Sequence, residues 1–149
     1  MNQIQIRKIT NQDKELFLNM SHAFYRSEAV LHEIEADCHE RAFAELMRSE
    51  EYLLGYILEM DGKTAGYALL NRMFMREMGG MVVWIEELYI LPEFRGKGVG
   101  SALFAWVEEN VPAVRYRLEV EPDNTRAMKL YSRLGYEPLP YLQMVKDTK

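Results

Sequence analysis

Cysteine is almost absent from this sequence. Cys38 is the only one, so no disulfide can form within the chain. With one thiol and with His22, His32 and His39 scattered singly, there is no Cys/His set at metal-ligand spacing, and no metal site is expected. Long apolar runs are missing as well. None approaches the ~18 residues of a membrane span, and Met1-Asn2-Gln3-Ile4-Gln5-Ile6-Arg7 lacks the apolar core of a leader peptide. A cytoplasmic protein with no membrane contact is the expectation. Net positive charge is also lacking. The formal charge of −5 at pH 7 argues against a surface built to hold nucleic acid. Linkers rich in Pro, Gly and Ser, blocks of like charge and internal repeats are not found, so a single domain over residues 1–149 is expected. What is present is 48% hydrophobic and 28% charged, enough apolar mass for one core.

The periodicities predict alternating element types, an α/β (α+β) chain. Ile4 and Ile6 alternate with polar neighbours as in a strand. Thr10, Asn11 and Asp13 then offer caps for a helix with Leu16, Phe17, Met20 and Phe24 on one side. A second helix is expected over about Glu35–Ser49, with Ala42, Phe43, Leu46 and Met47 inward. Strands follow at Tyr52–Met60 and Lys63–Met73, joined by Asp61-Gly62, a dipeptide suited to a tight hairpin turn. Gly79-Gly80 marks a turn before the strand Met81–Leu91, which Pro92 ends. A helix then runs to about Asn110, with Val99, Leu103, Trp106 and Val107 as its buried side. Val114–Glu121 reads as a strand. The next helix carries Ala127, Leu130, Tyr131 and Leu134 on one face and ends at Gly135, and Gln143-Met144-Val145 reads as a last strand.

The informative segment is Leu91-Pro92-Glu93-Phe94-Arg95-Gly96-Lys97-Gly98-Val99-Gly100-Ser101, placed where a strand gives way to a helix. The first amides of a helix have no internal partners and lie at the positive end of its dipole. Glycines remove the β-carbons that would hold a phosphate away from those amides. Arg95 and Lys97 add charge, so a phosphate or pyrophosphate site is predicted. It is not a P-loop, because Gly98 rather than Ser or Thr follows Lys97. Nor is it the dinucleotide fingerprint: counting from Gly96 or from Gly98, the last glycine of G-x-G-x-x-G is replaced by Ser101 or Leu103.

Arg95-x-x-Gly98-x-Gly100 after a strand and proline resembles the coenzyme-A signature of the GNAT N-acetyltransferases. The resemblance extends to two blocks. Glu87-Leu88-Tyr89-Ile90-Leu91-Pro92-Glu93-Phe94-Arg95-Gly96-Lys97-Gly98 looks like the family's fourth strand and pyrophosphate turn. Leu118-Glu119-Val120 with Asn124-x-x-Ala127-x-x-Leu130-Tyr131-x-x-Leu134-Gly135-Tyr136 looks like its fifth strand and following helix. The resemblance implies a central mixed, mostly antiparallel twisted sheet of six to seven strands, flanked by about four helices and splayed between strands four and five. It implies acetyl-CoA as co-substrate. The backbone of Leu88, Tyr89 and Ile90 would hold the pantetheine arm and the amides from Gly96 through Lys97, Gly98, Val99 and Gly100 to Ser101 the pyrophosphate. Asn124 and Ala127 would touch the far side of the cofactor.

Tyr131 matches the family position of the acid that protonates the departing sulfur; on its spacing alone it is a core ring sharing a face with Leu130 and Leu134. Glu86 and Glu87 interrupt an apolar strand, and period 2 sends neighbours to opposite faces unless a bulge intervenes. By resemblance to polyamine acetyltransferases Glu86 is the first choice for the acceptor amine, and a buried structural carboxylate stays open for one of the pair. Neither is a strong base: from about 4.3 to an alkylammonium near 10.4 is a gap of about six pKa units, roughly 8 kcal/mol. Binding the ammonium and passing its proton to water fits better. Glu28 and Glu119 are further acceptor-site candidates, although solvated surface is the plainer reading of both. The histidines read as packing or surface. Met73-Phe74-Met75 and Met78 to Met81 read as hairpin core or a homodimer surface. The expected partner is a small-molecule amine. A protein N-terminal or lysine acetyltransferase and a non-catalytic CoA-binding module remain alternatives on the same fold.

Overall fold

The computed structural model describes residues 3–149; Met1 and Asn2, where the stretch read for a leader begins, lie outside the described residues. No helix of the described residues is long and apolar enough to cross a membrane. The first strand, β1, spans Ile4–Lys8, and a single 3-10 turn leads into α1, Lys14–Tyr25. Asp13 in that turn accepts the Thr10 N–H at 2.8 Å and the Arg7 guanidinium at 2.8 and 2.9 Å, which ties β1 to the helix start. The Arg7 contact holds the Asp13 carboxyl down to about 2. Helix α2 spans Ala36–Arg48. His39 on it is buried, bonded to Ser21 at 2.6 Å and stacked on His22 at 3.9 Å, the packing role expected of these rings.

Strands β2, Leu53–Met60, and β3, Lys63–Met75, meet at Asp61-Gly62, whose φ values of 52° and 80° are those a two-residue hairpin turn demands. Next come β4, Gly80–Ile90; α3, Val99–Asn110; β5, Arg115–Leu118; and α4, Thr125–Arg133. Gly135, at φ 95°, ends α4: its N–H bonds Ser132 O at 3.1 Å and the Tyr136 N–H bonds Tyr131 O at 3.0 Å.

The sheet order is β1-β2-β3-β4-β5. The first four strands are antiparallel and β5 joins β4 in parallel after the α3 crossover. Alternation along β3 divides the core. Tyr67 and Leu69 pack with Phe17, Met20, Phe24, Phe43 and Leu46 of α1 and α2, while Ala68 and Leu70 pack with Val99, Leu103, Phe104 and Val107 of α3. The mixed, mostly antiparallel sheet and the four α-helices agree with the expectation.

Two expectations are corrected. The described sheet has five strands rather than six to seven, because Gln143-Met144-Val145 forms no strand and residues 137–149 are exposed throughout. A strand exists only against a neighbour that takes its N–H and C=O groups, and Pro138 and Pro140 offer no N–H with which to begin a ladder. The fifth strand ends at Leu118 instead of Glu121, because its neighbour β4 parts from it after Ile85.

Gly66 is the tight point of the sheet. A β-carbon there would overlap the carbonyl oxygen of Tyr89 on β4, and backbone cannot move aside as a side chain can. Gly66→Ala is expected to cost about 1–3 kcal/mol. Urea unfolding should show a lower midpoint with an unchanged m-value.

Candidate active site

The site begins with a bulge. Leu69 pairs with Glu87 and Leu70 with Ile85, so Glu86 has no partner on β3. The extra residue resets the alternation: Val83 and Ile85 face α3, and so do Leu88 and Ile90 beyond it. Glu86 and Glu87 consequently share the opposite face, that of Tyr67 and Asn71. Glu87 is buried there, accepting the Tyr67 hydroxyl at 2.7 Å and the Tyr25 hydroxyl at 2.8 Å. Burial raises its pKa more than the two phenols lower it. Glu86 is exposed and accepts the Asn71 amide at 2.6 Å. Partial burial of its carboxyl, and then the charge of Glu119, raise its pKa.

The same strand loses its other neighbour. β5 accompanies β4 only from Val82 to Ile85, so from Glu86 to Ile90 the edge of β4 that faces β5 has no strand beside it. The glycine turn closes the far end of this gap. Gly96 and Gly98 take φ of 74° and 84°, and a β-carbon on either would meet no protein atom within 4 Å. Gly98 caps α3, whose first helical bond is Ala102 N–H to Gly98 O at 3.0 Å. The amides of Val99, Gly100 and Ser101 thus have no partner inside the helix. Arg95 donates to the carbonyl of Ile90 at 2.8 Å and lies over the Tyr89 ring.

These parts border one cleft of about 710 Å³. Of the residues anticipated from sequence it gathers Leu88, Tyr89, Ile90, Arg95, Gly96 and Gly98, then Val99, Gly100 and Ser101, then Asn124 and Ala127, and Glu28. Asn124 also caps α4, accepting the Ala127 N–H at 3.2 Å. Lys97 lies outside the lining, over the Phe94 ring. Glu86, Glu87 and Glu119 lie beyond the lining as well. Tyr131 is not among the lining residues; its ring packs on Phe104 and Tyr136 at 5.6 and 6.2 Å. Burial raises the pKa of its phenol, and among the described residues its hydroxyl makes no hydrogen bond.

Sequence reasoning missed the cations on α4. Arg126, Lys129 and Arg133 line the cleft, and their spacing of three and four is that of one helix face, a signal that was available. It also missed Tyr25, Tyr67 and Asn71, which no local pattern links to the glutamates. Lined by bare glycines, the start of α3 and the cations of α4, the cleft fits an elongated ligand that carries phosphate groups. The bare glycines and free amides would take its pyrophosphate, the α4 cations its outer phosphate, and the open edge of β4 its arm.

Comparisons with known proteins agree with this geometry. The model of the Acetyltransferase (GNAT) family matches residues 15–136. An uncharacterised N-acetyltransferase of Methanocaldococcus jannaschii is 28% identical over 149 residues, 95% of this chain and 66% of that protein. Thialysine N-epsilon-acetyltransferase of Bos taurus is 38% identical over 63 residues, 40% of this chain and 37% of that enzyme. The chain thus spans less than two thirds of the length of either relative. Among solved structures, AAC(6')-Iy in complex with the bisubstrate analogue CoA-S-monomethyl-acetylneamine superposes with a TM-score of 0.80 at 22% identity, over 99% of both chains. That likeness shows the fold.

Glu87 gives the site a pH signature. Its folded pKa lies above the ordinary value of 4.5, so the folded state binds the proton more readily than the unfolded chain. The stability this confers is fully present below 4.5 and is lost as pH rises through the folded pKa. Glu87→Gln keeps an acceptor for the phenols and removes the titration. Urea midpoints followed from below pH 4.5 to neutrality should therefore favour the variant increasingly over wild type, then level off.

Proposed function

The chain belongs to the acetyltransferase (GNAT) family, and from that premise we propose that it transfers acetyl from acetyl-CoA to the primary amine of a small cationic molecule. The observation that carries the reading is the gap between β4 and β5 beside a glycine turn whose helix amides are free. When bound, acetyl-CoA supplies an activated thioester, and the chain supplies everything else. The backbone of Leu88 and Ile90 holds the arm in place of a sixth strand, and the Leu88 amide donates to the thioester carbonyl. The amides of Val99, Gly100 and Ser101 hold the pyrophosphate.

Glu86 and Glu87 divide the acceptor side. Two phenols already occupy Glu87, so its carboxylate orders Tyr25 at the end of α1 rather than receiving a substrate. Glu86 is exposed, with Glu119 close enough to raise its pKa, and the pair attracts an ammonium. The amine gives up its proton to water beside Glu86 before it attacks. The amine nitrogen bonds to the thioester carbon as the C–S bond breaks, and Tyr131 donates its phenolic proton to the departing sulfur; the raised pKa of Tyr131 keeps that proton in place at neutral pH until then. The proton shed by the new amide nitrogen restores the phenol through water. The acid cluster supports an acceptor carrying a second cationic or polar group. The thialysine enzyme and the neamine analogue are consistent with such an amine. A cytoplasmic setting belongs to the same reading.

Acetyl-CoA or CoA should stabilise the protein. At a hundredfold excess over Kd the linkage is about 2.7 kcal/mol, a melting shift of several degrees for a chain of this size at roughly 2–4 °C per kcal/mol. No shift at saturation would overturn the site. With a panel of diamines, lysine-like amino acids and aminoglycosides, thiol release should saturate with at least one small amine. Turnover confined to a peptide N-terminus would overturn the acceptor class alone.

Tyr131→Phe should lower kcat by about 10²–10⁴-fold, the usual contribution of a general acid. The ring remains packed on Phe104, so the acetyl-CoA affinity should hold. A variant with near wild-type kcat would return Tyr131 to packing alone.

A further inference from the structure

Asn71, Trp84 and Arg117 stand opposite one another in a single row across β3, β4 and β5. Their strand neighbours Val83, Ile85, Tyr116 and Leu118 pack toward α3, so Trp84 and Arg117 lie on the other face of the sheet. That is the face of Glu86, which accepts the Asn71 amide at 2.6 Å. Trp84 is only half-buried and belongs to neither half of the core. A large ring left out of both clusters has something else to support.

What it supports in the structure is a cation. The Arg117 guanidinium lies over the Trp84 ring at 4.2 Å from its centre. Its neighbour Arg115, two residues earlier, reaches Glu77 at 3.7 Å, whereas no described carboxylate pairs with Arg117. Stacking occupies the flat face of a guanidinium and leaves its in-plane N–H fork free, the geometry that grips an oxyanion through two hydrogen bonds. Neither Arg117 nor Trp84 borders the cleft assigned to the cofactor, so its phosphates are not what this fork awaits. Glu86 lies two residues along β4 from Trp84, about 6–7 Å at strand spacing. A lysine-like stem covers that distance.

We propose that Arg117 sets acceptor specificity: it grips an oxyanion, carboxylate or phosphonate, on the same molecule whose amine Glu86 receives, and the Trp84 ring carries the chain between them. The proposal rests on the acetyl transfer put forward above and makes the acceptor's second, polar group an anion. The oxyanion is held away from the reacting atoms, in the ground state as in the transition state. Its contact therefore lowers KM and leaves kcat to the other residues.

Matched acceptors on the unmodified protein give the first test: lysine against cadaverine, which lacks only the carboxylate, and aminopropylphosphonate against propylamine. Thiol release should show a KM lower by about 10-fold or more for the anion-bearing member of at least one pair, the worth of a hydrogen bond to a charged group. The pair that discriminates names the oxyanion. Glu86 and Glu119 alone would favour cadaverine, the more cationic molecule, so a preference for lysine requires a cation in the site. Arg117→Met keeps an apolar stem over Trp84 and removes the fork, and the KM ratio should fall to one or reverse. Amines turned over with no preference for the anion would overturn the proposal and leave acetyl transfer standing. So would a preference that survives Arg117→Met. If no small amine of either kind releases thiol, transfer to a small amine falls, and this proposal with it.

Discussion

The bulge at Glu86 is the point at which β4 passes from a strand paired on both edges to one paired on β3 alone. Before it, Val82–Ile85 pair with both β3 and β5; after it, Leu88 and Ile90 stand opposite Ala68 and Gly66 on β3 and have no strand on the other side. An inserted residue sharpens the local twist and turns the strand away from a neighbour that lacks the insertion. β5, too short to follow, stops at Leu118. One extra residue therefore opens a gap in a sheet whose remaining strands are in continuous contact, and the gap lies next to the free amides of α3. Antiparallel pairing on the β3 side keeps the open edge rigid. Gly66 is what permits that pairing to close up against Tyr89.

The bulge also sorts the two glutamates. In a regular strand they would face opposite ways, and the one on the α3 side would lie among Val99, Leu103 and Phe104 with no donor to meet it. Brought to the same face, they land in different surroundings. Glu87 meets two phenols whose own pKa values are pushed far up by burial and by its charge, so they remain donors. The two phenols offset part of the cost of burying this carboxylate, whereas the same group unpaired would be strongly destabilising. Glu86 meets one amide and solvent. The arrangement leaves one acid for the fold and one for a ligand.

Much of this was legible in sequence, and the exceptions share a cause. Element order, the Asp61-Gly62 hairpin, the Gly135 cap and the glycine turn are local, set by periodicity and by residues that tolerate positive φ. The bulge was legible only as an option, since Glu86-Glu87 in an apolar strand signals that something must yield without saying how. The donors to Glu87 come from α1 and β3, so no spacing rule reaches them. Lys97 was read as part of the phosphate site from its position in the turn, but its side chain lies over Phe94 outside the lining. Gln143-Met144-Val145 has the composition of a strand, but it forms none and the sheet does not include it. Composition reports a preference; membership requires a partner for every backbone group.

That distinction bears on how the two halves of the molecule are held. Helices α1 and α2 rest on Tyr67, Leu69 and Tyr89 from the centre of the sheet, and contribute fully buried residues. Helix α4 rests on the sheet's edge, and its apolar face of Ala127, Leu130, Tyr131 and Leu134 is only partly covered. The side of the cleft formed by β4 and the start of α3 carries the buried residues Tyr89 and Val99, while the side formed by α4 carries none. A long ligand spanning both walls would gain from a second element pressing α4 inward, because ordering a loosely packed helix on binding costs free energy that a braced helix has already spent.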